Sequence, residues 1–248
     1  IIKINIFMKK KLMKTKNIYY EHDDTSGTSI GVKYEKYLYN CQSKFQSIEV
    51  VKTLKYGNAL YLDGCFMLSE TNQDYYHNTC LNLTTKKSKN ILIIGGGDYA
   101  IASMLVRRNS NTKITIVEID EKVVQVSKKY FPKHFKLTKG QLKNIKLVLD
   151  NGMTFLKHDL NKYDCIIIDS TDPVGQAKIL YSKNFIKLCN AALIKGGTLI
   201  QQSGSPINDM KSLIKPLVKK YDDIGMKKII LSSFPMPLYP TGTWCFIS

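Results

Sequence analysis

The chain is nearly without arginine: Arg107 and Arg108 are the only two, so 35 of its 37 basic residues are lysine. Set against 20 acidic residues, these give a formal charge of +17, a balance that ordinarily points to nucleic acid or an anionic surface. Guanidinium is the group that grips phosphate and guanine bidentately, and scattered lysines do not replace it. No nucleic-acid partner is therefore expected, and the excess charge is read as solubility. The six cysteines form no CxxC pair and no Cys/His cluster at zinc spacing. That excludes zinc ribbons and fingers, leaves no metal site to expect, and favours a reduced, cytoplasmic protein. No apolar run approaches the roughly 18 residues of a membrane span, so no membrane partner is expected. The opening stretch Ile1 to Lys16 lacks a small-residue cleavage site and is not read as a secretory signal. Residues 1–18 are set aside as a leader, with Met8 or Met13 as candidate starts.

What is present is globular composition, 44% hydrophobic and 23% charged over 248 residues, enough for one compact domain or a domain with a small appendage. From Ile30 to Met67 short strands alternate with turns: Val32–Tyr39, Phe45–Thr53 and Ala59–Leu62, punctuated by Gly57-Asn58 and Asp63-Gly64, where positive φ comes cheaply. After about Asn72 helical stretches separate continuous apolar strands at Asn90–Ile94, Lys113–Ile119, Ile145–Leu149, Asp164–Ile168 and Gly197–Gln201. Runs such as Ile91-Leu92-Ile93-Ile94 show no polar alternation, as a parallel sheet covered on both faces requires. The spacing predicts a βαβ array preceded by a small antiparallel β region.

Gly95-Gly96-Gly97-Asp98-Tyr99-Ala100 follows an apolar strand and opens a helix expected over Ala100 to Arg108. As G-x-G-x-x-A it fits a nucleotide-binding turn, and Glu118, ending the next strand, is placed to hold two ribose hydroxyls. The pattern is shared by NAD enzymes and S-adenosylmethionine enzymes. Asp98 favours the second group, since a carboxylate at the head of this helix repels a pyrophosphate but attracts an ammonium or sulfonium. A second acidic cluster, Asp169-Ser170-Thr171-Asp172-Pro173, ends a later strand at the edge where open α/β sheets bind ligands. Either carboxylate can instead cap the following helix. An acidic niche inside a basic protein implies a cationic substrate.

The ordered run Gln46, Tyr56-Gly57-Asn58, Leu62-Asp63-Gly64, Tyr75-Tyr76-His77, Gly95-Gly96-Gly97-Asp98, Val117-Glu118-Ile119-Asp120, Asp169-Ser170-Thr171-Asp172-Pro173-Val174-Gly175 and Tyr239-Pro240-Thr241-Gly242 resembles the polyamine aminopropyltransferases, the spermidine synthase family. The resemblance runs from about Tyr19 to the C-terminus. It implies an N-terminal β-strand domain over 19–70 and, over 71–248, an α/β Rossmann-like domain of the class I S-adenosylmethionine-dependent transferase type. It further implies decarboxylated S-adenosylmethionine as aminopropyl donor, putrescine as acceptor, no separate cofactor or metal, and a homodimer or homotetramer. By matched position, Gln46, Gly95, Gly97, Asp98, Glu118 and Asn151 would bind the donor, with Glu118 on the ribose, Asn151 near the adenine and Asp98 at the propylamine. Asp169 would be the base and Tyr76 its hydrogen-bonding neighbour; Tyr76, His77, Asp169, Asp172 and Tyr239 would form the acceptor site.

The chemistry fits these residues independently. An alkylamine with a pKa of about 10.4 is protonated at neutral pH, so a carboxylate must take its proton before nitrogen can attack the carbon beside a sulfonium. The chain departs from the family at acidic positions: Asn72-Gln73 and Asn78 flank the Tyr-His pair, and Gly204 stands in Gln202-Ser203-Gly204-Ser205-Pro206 where a glutamate is usual. Tyr99 and Ala100 replace glycines. The chain also stops soon after Gly242, which reads as a fragment. These differences leave the acceptor open and keep two alternatives alongside the enzyme: a relative that binds nucleoside or polyamine without turnover, and a methyltransferase.

Overall fold

A computed structural model describes residues 17–23 and 27–248. The leader expected over the first residues lies outside them, except that its end is already strand: β1 begins at Ile18. Five antiparallel strands form the first sheet as a meander, β1 (Ile18–Asp23), β2 (Thr28–Gln42), β3 (Ser47–Thr53), β4 (Asn58–Leu62) and β5 (Cys65–Ser69). The turn at Gly57 is tight because Thr53 bonds its carbonyl twice, through N–H at 2.9 Å and Oγ1 at 2.8 Å.

The rest of the chain alternates as its apolar runs predict. Helix α1 (Asp74–Leu83) leads to β6 (Asn90–Gly95), α2 (Ala100–Arg108), β7 (Lys113–Glu118), α3 (Glu121–Tyr130), α4 (Lys139–Leu142), β8 (Ile145–Leu149), α5 (Gly152–His158), β9 (Tyr163–Asp169), α6 (Lys183–Ala192), β10 (Leu193–Gln202) and α7 (Lys215–Asp223). Two further strands, β11 (Leu231–Pro235) and β12 (Thr243–Ile247), complete a seven-stranded sheet in the order β11-β12-β10-β9-β6-β7-β8. Strands β8, β7, β6, β9 and β10 are parallel, and β12 joins β10 antiparallel. The order reverses between β6 and β9, the crevice where open α/β sheets bind ligands.

Successive residues of β6 serve opposite faces, which is why the strand has no polar alternation. Ile91 and Ile93 pack with α2 through Ile101, Leu105 and Val106, while Leu92 and Ile94 pack on the side of α6 with Phe185 and Ile186. The first of these clusters continues without a break into the N-terminal sheet through Tyr19, Tyr61 and Phe66. Polar ties reinforce that junction: Tyr130 donates its hydroxyl to the Leu38 carbonyl at 2.9 Å, and Asn58 Nδ2 donates to the Tyr130 carbonyl at 3.0 Å.

Both arginines do structural work. Arg108 donates to the carbonyls of Leu81, Thr84 and Thr85 at the end of α1, and Arg107 to those of Lys133 and Lys136. All six cysteines are free thiols, four of them buried.

Candidate active site

The carboxyl ends of β6, β7 and β9 and the inner surface of the N-terminal sheet enclose a cavity of about 520 Å³. Its lining contains Glu21, Asp63, Asp98, Glu118, Asp150, Asp169 and Asp172, and among the described residues that line it there is no Lys or Arg. In a chain of charge +17, this is the anionic niche that the spacing of its acids predicts.

Adjacent strands bring the two predicted motifs together. Gly95 and Asp169 are register partners across β6 and β9, and Gly96 N–H donates to the Asp169 carbonyl at 3.2 Å. The glycines admit the protein's own groups rather than simply leaving room for a nucleoside. A Cβ on Gly95, whose φ is +83°, would fall 2.0 Å from the Asp169 carbonyl oxygen; one on Gly97 would fall 2.8 Å from Glu118 Oε2. Gly97 N–H donates to that same oxygen at 3.2 Å, and Asp120 N–H donates to Oε1 at 2.9 Å. Glu118 is thereby fixed in the cavity wall, 8% exposed, with burial pushing it up to about 7 against these bonds. Gly97→Ala is expected to dislodge this carboxylate, costing about 1–3 kcal/mol of stability. Thermal melting checks it.

Asp98 accepts from Ala100 N–H at 2.8 Å, opening α2 while facing the cavity, and burial raises it to about 6. Tyr99 adopts the left-handed conformation at φ +63° and packs its ring at a tilt against Phe135, outside the cavity lining, so it does not block the space in front of Asp98. Asp169 receives the Tyr76 hydroxyl on Oδ1 at 2.6 Å. Burial and then the charge of Asp98 push it up to about 7, against that hydrogen bond. Asp172 receives Gln202 Nε2 at 2.7 Å and is raised by burial to about 6. Neither Asp169 nor Asp172 caps a helix; Ser182 caps α6. Tyr239 lines the same space, its phenol raised by burial and by Asp172, Asp169, Glu21 and Asp98 in turn. His77 is 6% exposed and neutral, held near 3 by burial and by His134.

Two predicted donor residues have further duties. Gln46 lines the cavity and is steadied by Asp120, whose Oδ2 accepts from its Nε2 at 3.1 Å and from Ser43 Oγ at 2.6 Å. Asn151 uses its side-chain carbonyl to cap α5, accepting from Met153 and Thr154, which leaves its Nδ2 for a ligand.

Several cavity residues escape the sequence reading, Glu21, Asp63, Asp150 and Gln202 among them. Glu21, on β1, is 8% exposed, accepts the Phe66 N–H at 2.9 Å, and is pushed up to about 7 by burial and by Asp172 and Asp23. Its only signal was alternation, which puts Tyr19 and Glu21 on one inward face of the strand. The departures from the family pattern separate in space. Gln73 lines the cavity, Asn78 is on the exposed surface, and Gly204 has φ +76° with Asp209 Oδ2 2.8 Å from where its Cβ would lie.

Known proteins match this chain along both of its sheets. The spermine/spermidine synthase domain matches residues 74–248, and the spermidine synthase tetramerisation domain matches 18–70. The chain belongs to the polyamine aminopropyltransferase family. It is 34% identical over 235 residues to the polyamine aminopropyltransferase of Methanocaldococcus jannaschii, covering 93% of this chain and 78% of that one. It is 35% identical over 236 residues to that of Clostridium botulinum, covering 92% and 81%. Among solved structures it resembles a spermidine synthase in complex with the transition-state analogue AdoDATO, with a TM-score of 0.85 and 25% identity over 94% of this chain and 80% of that one. The spermidine synthase of Thermotoga maritima superposes with a TM-score of 0.82 at 25% identity, covering 93% and 78%. The aminopropyltransferase fold is thus an antiparallel β domain followed by a Rossmann-like α/β domain.

Proposed function

We propose that this aminopropyltransferase moves the aminopropyl group of decarboxylated S-adenosylmethionine to putrescine or a closely related diamine, giving spermidine and methylthioadenosine. The observation that carries this reading is the Asp169–Tyr76 pair at the carboxyl end of β9, set among Asp98, Asp172 and Glu21 in a lining without Lys or Arg.

Glu118 holds the ribose hydroxyls of the donor, Gln46 and Asn151 hold its nucleoside, and Asp98 holds its terminal ammonium. The acceptor lies between Tyr76, His77 and Tyr239, with its reacting nitrogen at Asp169. Asp169 removes a proton from this nitrogen; the freed lone pair attacks the carbon beside the sulfonium. A C–N bond forms as the C–S bond breaks, and its electron pair returns to sulfur, which leaves in neutral methylthioadenosine. A carboxylate raised to about 7 suits that duty near neutrality. Holding the two reactants in line supplies up to about 7–11 kcal/mol of the barrier reduction.

Glu21 and Asp172 pair with the far ammonium of the diamine. That assignment answers the missing acid at Gly204, since a buried ammonium without a counter-charge costs several kcal/mol. The match of residues 18–70 to a tetramerisation domain supports a homo-oligomer built through the N-terminal sheet.

Incubating the protein with decarboxylated S-adenosylmethionine and a panel of mono-, di- and triamines, read by mass spectrometry, tests the reaction. Methylthioadenosine together with spermidine is expected. Methylated products, or binding with no transfer to any amine, would refute it.

A further inference from the structure

Tyr181 ends the 3₁₀ turn Gly175–Tyr181 and is buried, 3% exposed. Its hydroxyl lies 2.6 Å from Gln202 Oε1, with the carbonyl oxygens of Gln202 and Thr171 farther off at 3.2 and 3.3 Å. A phenol has one proton, and the shortest contact takes it. With Oε1 engaged as an acceptor, the Gln202 amide has one orientation, in which Nε2 donates to Asp172 Oδ1 at 2.7 Å. Turned over, it would set a carbonyl oxygen against an ionised carboxylate, an arrangement that becomes favourable only when Asp172 carries a proton to donate.

Building on the amine-site reading above, we propose that Tyr181 is a positioning residue for the acceptor: through Gln202 it keeps Asp172 ionised and aimed at an ammonium. The surroundings make this control necessary. Facing Asp172 are Glu21 and Asp23 from β1, Cys65 from β5, Asp209 from the loop after β10, and Tyr239. The Cys65 thiol and the Tyr239 phenol, both raised, stay neutral near pH 7, but burial and then the charges of Asp209 and Asp23 favour the protonated form of Asp172. The Gln202 amide opposes them. It can do so only while something else occupies its oxygen, and the Tyr181 hydroxyl is the group in place.

Tyr181→Phe removes one oxygen and keeps the ring in its packing. Gln202 Oε1 then lacks a donor, and the amide is free to turn over and accept from protonated Asp172. The test is calorimetric titration of 1,4-diaminobutane into protein saturated with methylthioadenosine, from pH 5.5 to 8. Tyr181→Phe is expected to bind the diamine about threefold more weakly than the parent protein at pH 6.5 and about eightfold more weakly at pH 5.5. The acidic limb of its binding profile moves up by about one pH unit, and the deficit shrinks at pH 8, where Asp172 is ionised in both proteins. Gln202→Met, which removes the amide altogether, moves the limb in the same direction and provides the test should Tyr181→Phe fail to fold. Parallel profiles, with one constant deficit at every pH, would mean that Tyr181 only supports packing, and would overturn the proposal while sparing the amine-site reading. Absence of diamine binding by the parent protein would overturn both.

Discussion

Asp169→Asn is expected to lower methylthioadenosine release by about 10²- to 10⁴-fold, the range in which a positioned general base contributes. Asparagine fills the same volume, and its side-chain carbonyl can still accept the Tyr76 hydroxyl that now reaches Asp169 at 2.6 Å. The fold and the Tyr76 contact are thus preserved while the capacity to take a proton is lost. In the parent protein the rate should climb with pH as Asp169 ionises, because burial and Asp98 hold it near 7. The residual rate of the variant should lack that limb. Single-turnover release, followed by chromatography across pH 6 to 9, reads both effects, and an undiminished rate would move the proton transfer to another group.

The ligand-free protein is expected to become more stable as pH falls from 8 to about 6.5, opposite to the ordinary behaviour of carboxylates in favourable ion pairs. Glu21, Glu118 and Asp169 are each raised to about 7, mainly by burial. Over this range the folded state binds protons that the unfolded state does not, so stability rises on acidification and is lost as pH climbs through 7. Three such groups contribute about 2 kcal/mol across the window. For a chain of this size that corresponds to a melting midpoint about 4–8 °C higher at pH 6.5 than at pH 8. His77 and His134, both lowered mainly by burial, take protons only in the unfolded chain as pH falls through about 6.5, and offset part of this gain without reversing it. Decarboxylated S-adenosylmethionine, which brings positive charge to the same carboxylates, should lift the midpoint at pH 8 and flatten the dependence. Scanning calorimetry at fixed ionic strength is the measurement. A midpoint that falls steadily from pH 8 to 6.5 would mean the cavity acids are stabilised as anions without a ligand.

The two predictions share one cause. Five carboxylates of the cavity wall, at Glu21, Asp98, Glu118, Asp169 and Asp172, are held partly out of water with no cation among the lining residues to neutralise them. On the proposed reading, catalysis exploits what stability loses: a site that is unfavourable when empty at neutral pH gains most when a dication and a sulfonium enter it.

The parallel core and its crevice were legible because their signals are local. Ile91 to Ile94 read as a strand buried on both faces, Gly95 to Ala100 as a turn into a helix, and Asp169 as the end of a strand, each from a few adjacent residues. The helix Ala100–Arg108 and the strand Ile145–Leu149 fall where the sequence places them. Strands whose existence depends on distant partners were read poorly. β2 runs to 15 residues instead of Val32–Tyr39 because β1 and β3 pair along it, and β11 and β12 take shape as strands against β10 and each other.

What the sequence by itself determined is the kind of chemistry: a glycine-rich turn after a buried strand, an acid at the end of the next, and two more acids closing a third, in a chain whose cations lie elsewhere. Tertiary structure alone decided how those acids act together. Glu21 becomes part of the cavity only because the N-terminal sheet shares an apolar core with the α/β domain. Gly97 is needed because Glu118, 21 residues on, returns to touch it. Tyr181 reaches Asp172 through Gln202 because β10 lies beside β9. Hydrophobic patterning is written along the chain at periods of a few residues, whereas burial and the field on a carboxylate depend on which distant segments pack over it, and only the folded chain brings those segments together.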